Sequence, residues 1–341
     1  MADKKILLSG YFGFGNCGDE MILHTEKKFF EDLGYEVFAI YRAPKGSNGA
    51  SGNLFNTIAA IRRSDIIVSG GGGLLQDKTS LKSLFYYLFI LFTGRVFGKK
   101  TVCFAQGIGP LNTALGRFVT RKVVSGADLI TVRDKYSKNV LKSCGIKKAI
   151  NVCADVAFLF GEEKGISLPY KKFVIFSPGY SRSMPSIDTL SNIANIMKKE
   201  SGFPVVIMPL YPKRDGEVAL KISKKTGFPL IMFETIGQCL YAFKKSEFVV
   251  GMRYHSVVLS ALAKKAFVSM SYDPKVSAIS EEFGIEYIKD YGGITEDHFS
   301  EIFRLNFNSR REIERKLAFK LSEMKKRAEE NFKLFEKNFS A

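Results

Sequence analysis

Glu247-Phe248-Val249-Val250-Gly251-Met252-Arg253-Tyr254-His255-Ser256, with Tyr272-Asp273-Pro274-Lys275 some twenty residues on, is the stretch on which the fold turns. Apolar residues over 247–251 predict a buried strand, the glycine closes it, and 255–263 predicts a helix. A second apolar run, 266–271, predicts the next strand, with Lys275 in the turn beyond it. Strand, helix, strand in that order is a crossover unit of a parallel sheet. In such sheets ligands bind outside the carboxyl ends of the strands. Arg253, His255 and Lys275 are therefore expected to converge, two fixed cations beside the one side chain that titrates near neutrality. A core histidine with two solvated cations is the alternative. The chain has only three histidines, and this one stands at a strand-to-helix turn between cations, which favours a site.

The same alternation runs outward in both directions. Strands are expected at 5–9, 36–41, 65–69, 101–106, 128–132 and 150–153, separated by helices. A polar, Gly- and Pro-broken linker follows at 161–172. Strands then resume at 173–177, 205–208, 230–233, 248–251 and 267–271, and a long amphipathic helix runs from about 308 to the end. The expected fold class is α/β, with two doubly wound Rossmann-like domains facing a cleft. Their bounds are 1–160 and 173–308, with 309–341 a C-terminal helix packing back on the N-terminal domain. Such a bracing helix would make the arrangement glycosyltransferase B-like.

Composition fits that reading. A chain of 341 residues with 46% hydrophobic and 25% charged residues is a globular protein too long for one ordinary core. Five cysteines without a CxxC pair predict reduced core thiols in a cytoplasmic protein. The chain enters its first strand at once, so no signal peptide is expected. A formal charge of +17 suggests an anionic partner. No nucleic-acid motif accompanies it, and nucleic acid is not expected.

Four turns at predicted strand ends are rich in glycine or charge. The first, 10–20, contains Gly13, Gly15, Asn16, Gly18 and Asp19 and can be read as GxGxxG. That fingerprint wants an acid at the end of the second strand, where Arg42-Ala43-Pro44 stands instead, leaving an NADP reading through Arg42 open. The second turn has Gly70, Gly71, Gly72 and Gly73 before Gln76 and Asp77. Four glycines exceed what a tight turn needs and favour close approach of a ligand. Neither turn is a P-loop. Gln106-Gly107 closes the fourth strand. Arg133-Asp134 closes the fifth, where Arg133 either faces the crevice or pairs with Asp134 at the surface. Leu84-Phe85-Tyr86-Tyr87-Leu88-Phe89-Ile90-Leu91-Phe92, followed by Arg95, Lys99 and Lys100, is too short to span a bilayer. It is either a buried helix or an apolar face resting on an anionic membrane.

Taken together, GYFGFGNCGDEMIL at 10–23, SGGGGLLQD at 69–77, QGIGPL at 106–111, VRD at 132–134, GMRYH at 251–255 and YDPK at 272–275 resemble the polysaccharide pyruvyl transferases, and among them the CsaB type. The resemblance implies a glycosyltransferase B-like fold with the acceptor on the N-terminal side and phosphoenolpyruvate as donor on the C-terminal side. It implies a pyruvyl ketal placed on N-acetylmannosamine of a lipid-linked precursor of secondary cell-wall polymer. It also puts the catalytic roles on Arg133, His255 and Lys275, with Arg253 beside them and the glycine turns binding substrate. Two places depart from the family pattern. Tyr254 stands where a small aliphatic is common, and Ser177-Pro178-Gly179-Tyr180-Ser181-Arg182 opens the second domain unusually, which bears on the acceptor more than the donor.

The chemistry agrees with the resemblance. Phosphoenolpyruvate carries a carboxylate and a phosphate close together, so its site needs several cations, and ketal formation needs proton transfer near working pH. No His, Asp and Glu cluster has metal-ligand spacing, and no cofactor is expected. A nucleotide-sugar glycosyltransferase is the main rival. It would want an acid in the helix after His255 to hold a ribose, and 256–263 has none. A non-enzymatic phospho-ligand-binding protein is the other. The expected location is the cytoplasm, peripheral to the inner membrane surface, where a lipid-linked amino-sugar acceptor lies.

Overall fold

The computed structural model describes residues 4–41, 50–51, 54–78, 80–289 and 291–339. The chain divides into two compact units. The first comprises Met1–Phe14, Gly18–Phe160 and Met324–Ala341; the second comprises Gly15–Cys17 and Gly161–Glu323.

In the first unit the elements run β1 (Lys5–Phe12), α1 (Cys17–Asp32), β2 (Glu36–Tyr41), β3 (Ala50–Ser51), α2 (Leu54–Arg63), β4 (Ile66–Ser69), β5 (Gly72–Leu75), α3 (Leu81–Val96), β6 (Lys100–Ile108), α4 (Ala114–Val124), β7 (Leu129–Val132), α5 (Lys135–Ser143) and β8 (Asn151–Val152). The sheet is parallel in the order β3-β2-β1-β4-β6-β7-β8, with β5 also on β6. Strands β4 and β7 are buried throughout, as a sheet covered on both faces requires. Strand order reverses between β1 and β4, so the two glycine-rich turns that follow these strands flank the topological switch point.

The second unit holds β9 (Val174–Ser177), α6 (Ile187–Ser201), β10 (Val205–Ile207), α7 (Pro212–Thr226), α8 (Ile236–Lys245), β11 (Phe248–Gly251), α9 (Tyr254–Ala263), β12 (Phe267–Ser269), α10 (Pro274–Phe283) and α11 (Glu296–Asn308). Its parallel order is β10-β9-β11-β12. The reversal falls between β9 and β11, so the turns after Ser177 and Gly251 flank the second switch point. The strand expected at 230–233 shrinks to a single bridge, Ile207 to Leu230. Pro229 offers no N–H to a ladder, and Met232 is exposed. The expected turn at 70–73 is shorter than the glycines suggested, because Gly72, at φ +90°, bends the chain back alongside β6 as β5.

Helix α12 (Arg310–Phe339) belongs to the second unit through Glu323 and to the first from Met324. Within the first unit Phe332 lies 3.7 Å from the Phe29 ring and 5.0 Å from Phe104. Asn331 donates to the Ala154 carbonyl at 2.9 Å and Arg327 to the Cys153 carbonyl at 2.7 Å. All five cysteines are buried free thiols. No helix among the described residues is long and apolar enough to cross a membrane.

Candidate functional site

In the second unit, Gly251 ends β11 with Ser256 Oγ only 2.2 Å from where a Cβ would sit. Only glycine allows α9 to start that close to the strand. Arg253 is the residue before α9, in extended conformation. Its Nε donates to Asp215 Oδ2 at 3.0 Å, its Nη2 to Asp215 Oδ1 and, at 3.3 Å, to the Tyr180 carbonyl. Its Nη1 donates to the Tyr272 hydroxyl at 2.9 Å. The expected free cation is thus a brace, neutralised by Asp215, which is fully buried and also accepts the Tyr180 N–H at 2.9 Å. Tyr291 joins the frame by donating to the Gly179 carbonyl at 3.0 Å. Asp215 comes from α7, Tyr180 from the segment after β9 and Tyr291 from that between α10 and α11; sequence reasoning noted Tyr180 only as part of a departure from the family pattern and missed the other two.

His255 occupies the second position of α9 and is 8% exposed. Its ring packs edge-on to Tyr254. Every residue of α9 is buried, which its uncharged sequence permits. Lys275 is the second residue of α10, after the N-cap Asp273 and Pro274, rather than part of a turn. A lysine there opposes the helix dipole. It is half-buried, and among the described residues no carboxylate pairs with it. The first N–H groups of α10 are already taken, Lys275 N–H by the Asp273 carboxylate at 3.3 Å and Val276 N–H by the Asp273 carbonyl at 2.8 Å, so it is the ammonium itself, placed against its helix's preference, that is left for an anion. The Arg253–Tyr272 bond ties the turn after β11 to the turn after β12, and His255 and Lys275 stand at the starts of the helices that follow these two neighbouring strands.

The first unit tells a different story about its expected ligand groups. Arg133 is 3% exposed. Its Nε contacts Asp134 Oδ2 and its Nη1 Asp155 Oδ2, both at 3.2 Å. Its guanidinium fills the space above Gly107, 2.5 Å from an ideal Cβ. Of the two readings of Arg133, the pair with Asp134 forms, but buried and not at the surface, and with Asp155 as a second carboxylate: the bare Gly107 leaves the room in which the side chain folds inward. Gln106 is fully buried and donates through Nε2 to the Ser69 and Gly70 carbonyls, each at 3.2 Å. It fastens one glycine turn to another instead of facing a ligand. A bulge in β6 re-aims it, with Ala105 at φ +49°, a costly backbone for alanine. Asp77 accepts from the Asn112 N–H and from the Thr113 N–H and hydroxyl at 2.7–2.8 Å. Partial burial opposes its charge, but these donors outweigh that and hold its carboxyl below the usual range. It too anchors a loop.

Gly13 and Gly15 adopt positive φ, and Gly13 N–H donates to Glu20 at 2.9 Å. Gly15 and the half-buried Asn16 group with the second unit; Gly18 and the buried Asp19 lie in the first turn of α1. Asp19 Oδ1 fills the space over Gly72. Gly73 is exposed and Gln76 half-buried. Arg42, on which an NADP reading depended, lies outside the described residues.

Glu26 was not anticipated. Fully buried on α1, it accepts the Gly71 N–H at 2.7 Å and occupies the space over Gly70. Burial, opposed by the Gly71 bond and reinforced by the Asp155 charge, raises its pKa to about 8. The folded protein thus keeps a proton there that the unfolded chain releases above the ordinary glutamate range. Stability is fully present below that range and falls as pH rises towards about 8, by about 1.4 kcal/mol per pH unit. Glu26→Gln is expected to remove this slope in urea unfolding at stepped pH; parallel curves for the two proteins would refute it.

Structures of known proteins place the fold. A Listeria monocytogenes protein assigned as a UDP-N-acetylglucosamine 2-epimerase is similar with TM-score 0.62 and 14% identity, over 93% of this chain and 91% of that one. The UDP-GlcNAc 2-epimerase of Methanocaldococcus jannaschii gives 0.56 and 14%, over 90% and 93%. A glycosyltransferase from Rickettsia africae ESF-5 gives 0.56 and 10%, over 99% of both. At such identities the likeness shows the fold alone, a glycosyltransferase B-like α/β class. A search of curated proteins finds no match. A family model described as polysaccharide pyruvyl transferase matches residues 16–274, a span that begins at the end of the turn after β1, takes in the turns after β4, β9 and β11, and ends at Pro274, the first residue of α10. By that match the chain belongs to the polysaccharide pyruvyl transferases, a family of transferases.

Proposed function

We propose that the protein transfers pyruvate from phosphoenolpyruvate to an amino sugar, N-acetylmannosamine of a lipid-linked secondary cell-wall polymer precursor, forming a ketal. The reading includes work in the cytoplasm at the membrane's inner face and needs no cofactor beyond the donor. The observation that carries it is Lys275, a half-buried cation in the first turn of α10 with no carboxylate partner among the described residues, after the strand that neighbours the one leading to His255.

In the proposed mechanism the Lys275 ammonium holds the donor's anionic groups. Arg253, braced by Asp215 and Tyr272, keeps the turns in register. His255 delivers a proton to the donor's methylene carbon, leaving C2 oxocarbenium-like. One sugar hydroxyl adds to C2 and loses its proton. The bond from C2 to the phosphate oxygen breaks, the second hydroxyl adds to C2 to close the ring, and its proton leaves with the inorganic phosphate. Arg133 acts as a positioning residue beneath Gly107, through its pairs with Asp134 and Asp155.

Incubation with phosphoenolpyruvate and candidate lipid-linked disaccharides is expected to release phosphate only when an acceptor is present, and to add a ketal-bound pyruvyl group visible by mass spectrometry. Thermal protection by a nucleotide sugar but not by phosphoenolpyruvate would replace this reading with that of a glycosyltransferase.

A further inference from the structure

Helices α3 and α4 lie side by side and point the same way. Leu84 on α3 meets Gly116 on α4, and Arg95 near the end of α3 reaches the Val123 carbonyl near the end of α4. On α3, Phe85, Phe89, Phe92 and Val96 recur at i, i+4, i+7 and i+11, the spacing of one helix face. The first two are half-buried, while Phe92 and Val96 are 53% and 64% exposed. On α4, Leu115 and Phe118 are 54% and 58% exposed, and Lys122 lies over the Phe118 ring. Large apolar side chains in rows on neighbouring helices are not isolated surface exposures.

Charge says what such a surface fits. Between Asp77 and Asp128 the chain contains eight lysines and arginines and no acidic residue. Lys82, Arg95 and Lys99 flank the α3 row; Arg117, Arg121 and Lys122 flank the α4 row. Among the described residues none of these six pairs with a carboxylate. A second copy of the chain is a poor occupant, because a two-fold contact would set these cations against themselves. We infer that the α3–α4 face is a docking surface for an anionic lipid bilayer, with the aromatic and aliphatic rows entering the headgroup region and the cations meeting lipid phosphates. The inference rests on the lipid-borne acceptor for its purpose, but binding to lipid can be measured without donor or acceptor.

The chain has no tryptophan, so Phe118→Trp supplies a single tryptophan, excited apart from the tyrosines, on the proposed surface. With phosphatidylglycerol vesicles its emission is expected to shift to the blue, and with phosphatidylcholine vesicles to stay unchanged. The double variants Phe92→Ser/Phe118→Ser and Arg121→Glu/Lys122→Glu are each expected to weaken co-sedimentation with anionic vesicles by about tenfold or more. Raising salt should weaken the wild type as well. Pyruvyl transfer to a water-soluble acceptor should survive in the first double variant, so loss of vesicle binding with that activity intact would assign lipid binding to this surface separately from the chemistry. No blue shift, unchanged binding by the serine variant, or a shift that follows protein concentration without vesicles would overturn the inference. The last result would assign the face to a second copy.

Discussion

His255→Gln is expected to keep phosphoenolpyruvate binding largely intact and to lower turnover by about 10²–10⁴-fold, the usual share of acid–base catalysis. The position supports that separation. His255 stands in the first turn of a helix buried along its whole length, and glutamine is close to it in size, so the fold should tolerate the exchange. Lys275→Ala should do the opposite. It removes a charge-assisted contact of about 1.5–3 kcal/mol and so weakens donor binding by roughly tenfold or more. Lys275 is partly exposed, and no internal pair is lost with it among the described residues. Calorimetry for donor affinity and phosphate release for turnover would separate the two effects. Normal turnover by a folded His255→Gln protein would end the catalytic assignment, leaving His255 at most a ligand contact.

The contrast between these two residues and the rest of the expected site shows what a sequence can carry. The strands were legible because a parallel sheet covered on both faces must be written as short continuous apolar runs, and β4, β9 and β11 are such runs. The helix at Lys275 was legible too and went unread: Asp-Pro before it is an N-cap followed by a first-turn proline. Which glycines meet a ligand was not legible. A glycine in sequence records that a side chain is missing, not what takes its place. Here Arg133 takes the place over Gly107, Glu26 that over Gly70 and Asp19 that over Gly72, all from the protein itself. The partners come from distant points of the chain, Glu26 lying 45 residues before Gly71 and Asp215 38 before Arg253. Neither spacing nor composition marks such pairs, so Arg253 reads as an available cation, and of the two carboxylates on Arg133 only the adjacent Asp134 is foreseen.

Asp155→Ala is expected to destabilise the protein by about 3–5 kcal/mol, the usual result of leaving one member of a buried ion pair alone. Asp155 is fully buried and Arg133 nearly so. Asp155 also accepts the Ala157 N–H at 3.0 Å, a further contact that alanine loses. Arg133→Met/Asp155→Leu, which removes both charges and keeps much of the volume, should recover most of the loss, because a buried pair is often worth little more than well-packed apolar side chains. Urea midpoints of the two variants and the parent would measure this. The double variant then decides what Arg133 does. As a positioning residue beneath Gly107 it can be replaced by methionine with donor affinity changed by less than about the tenfold that one lost ionic contact brings. A stable double variant that binds phosphoenolpyruvate more than about tenfold weaker would show that the guanidinium reaches the donor after all. In that case Arg133 would have to leave Asp155 or Asp134 when the ligand arrives.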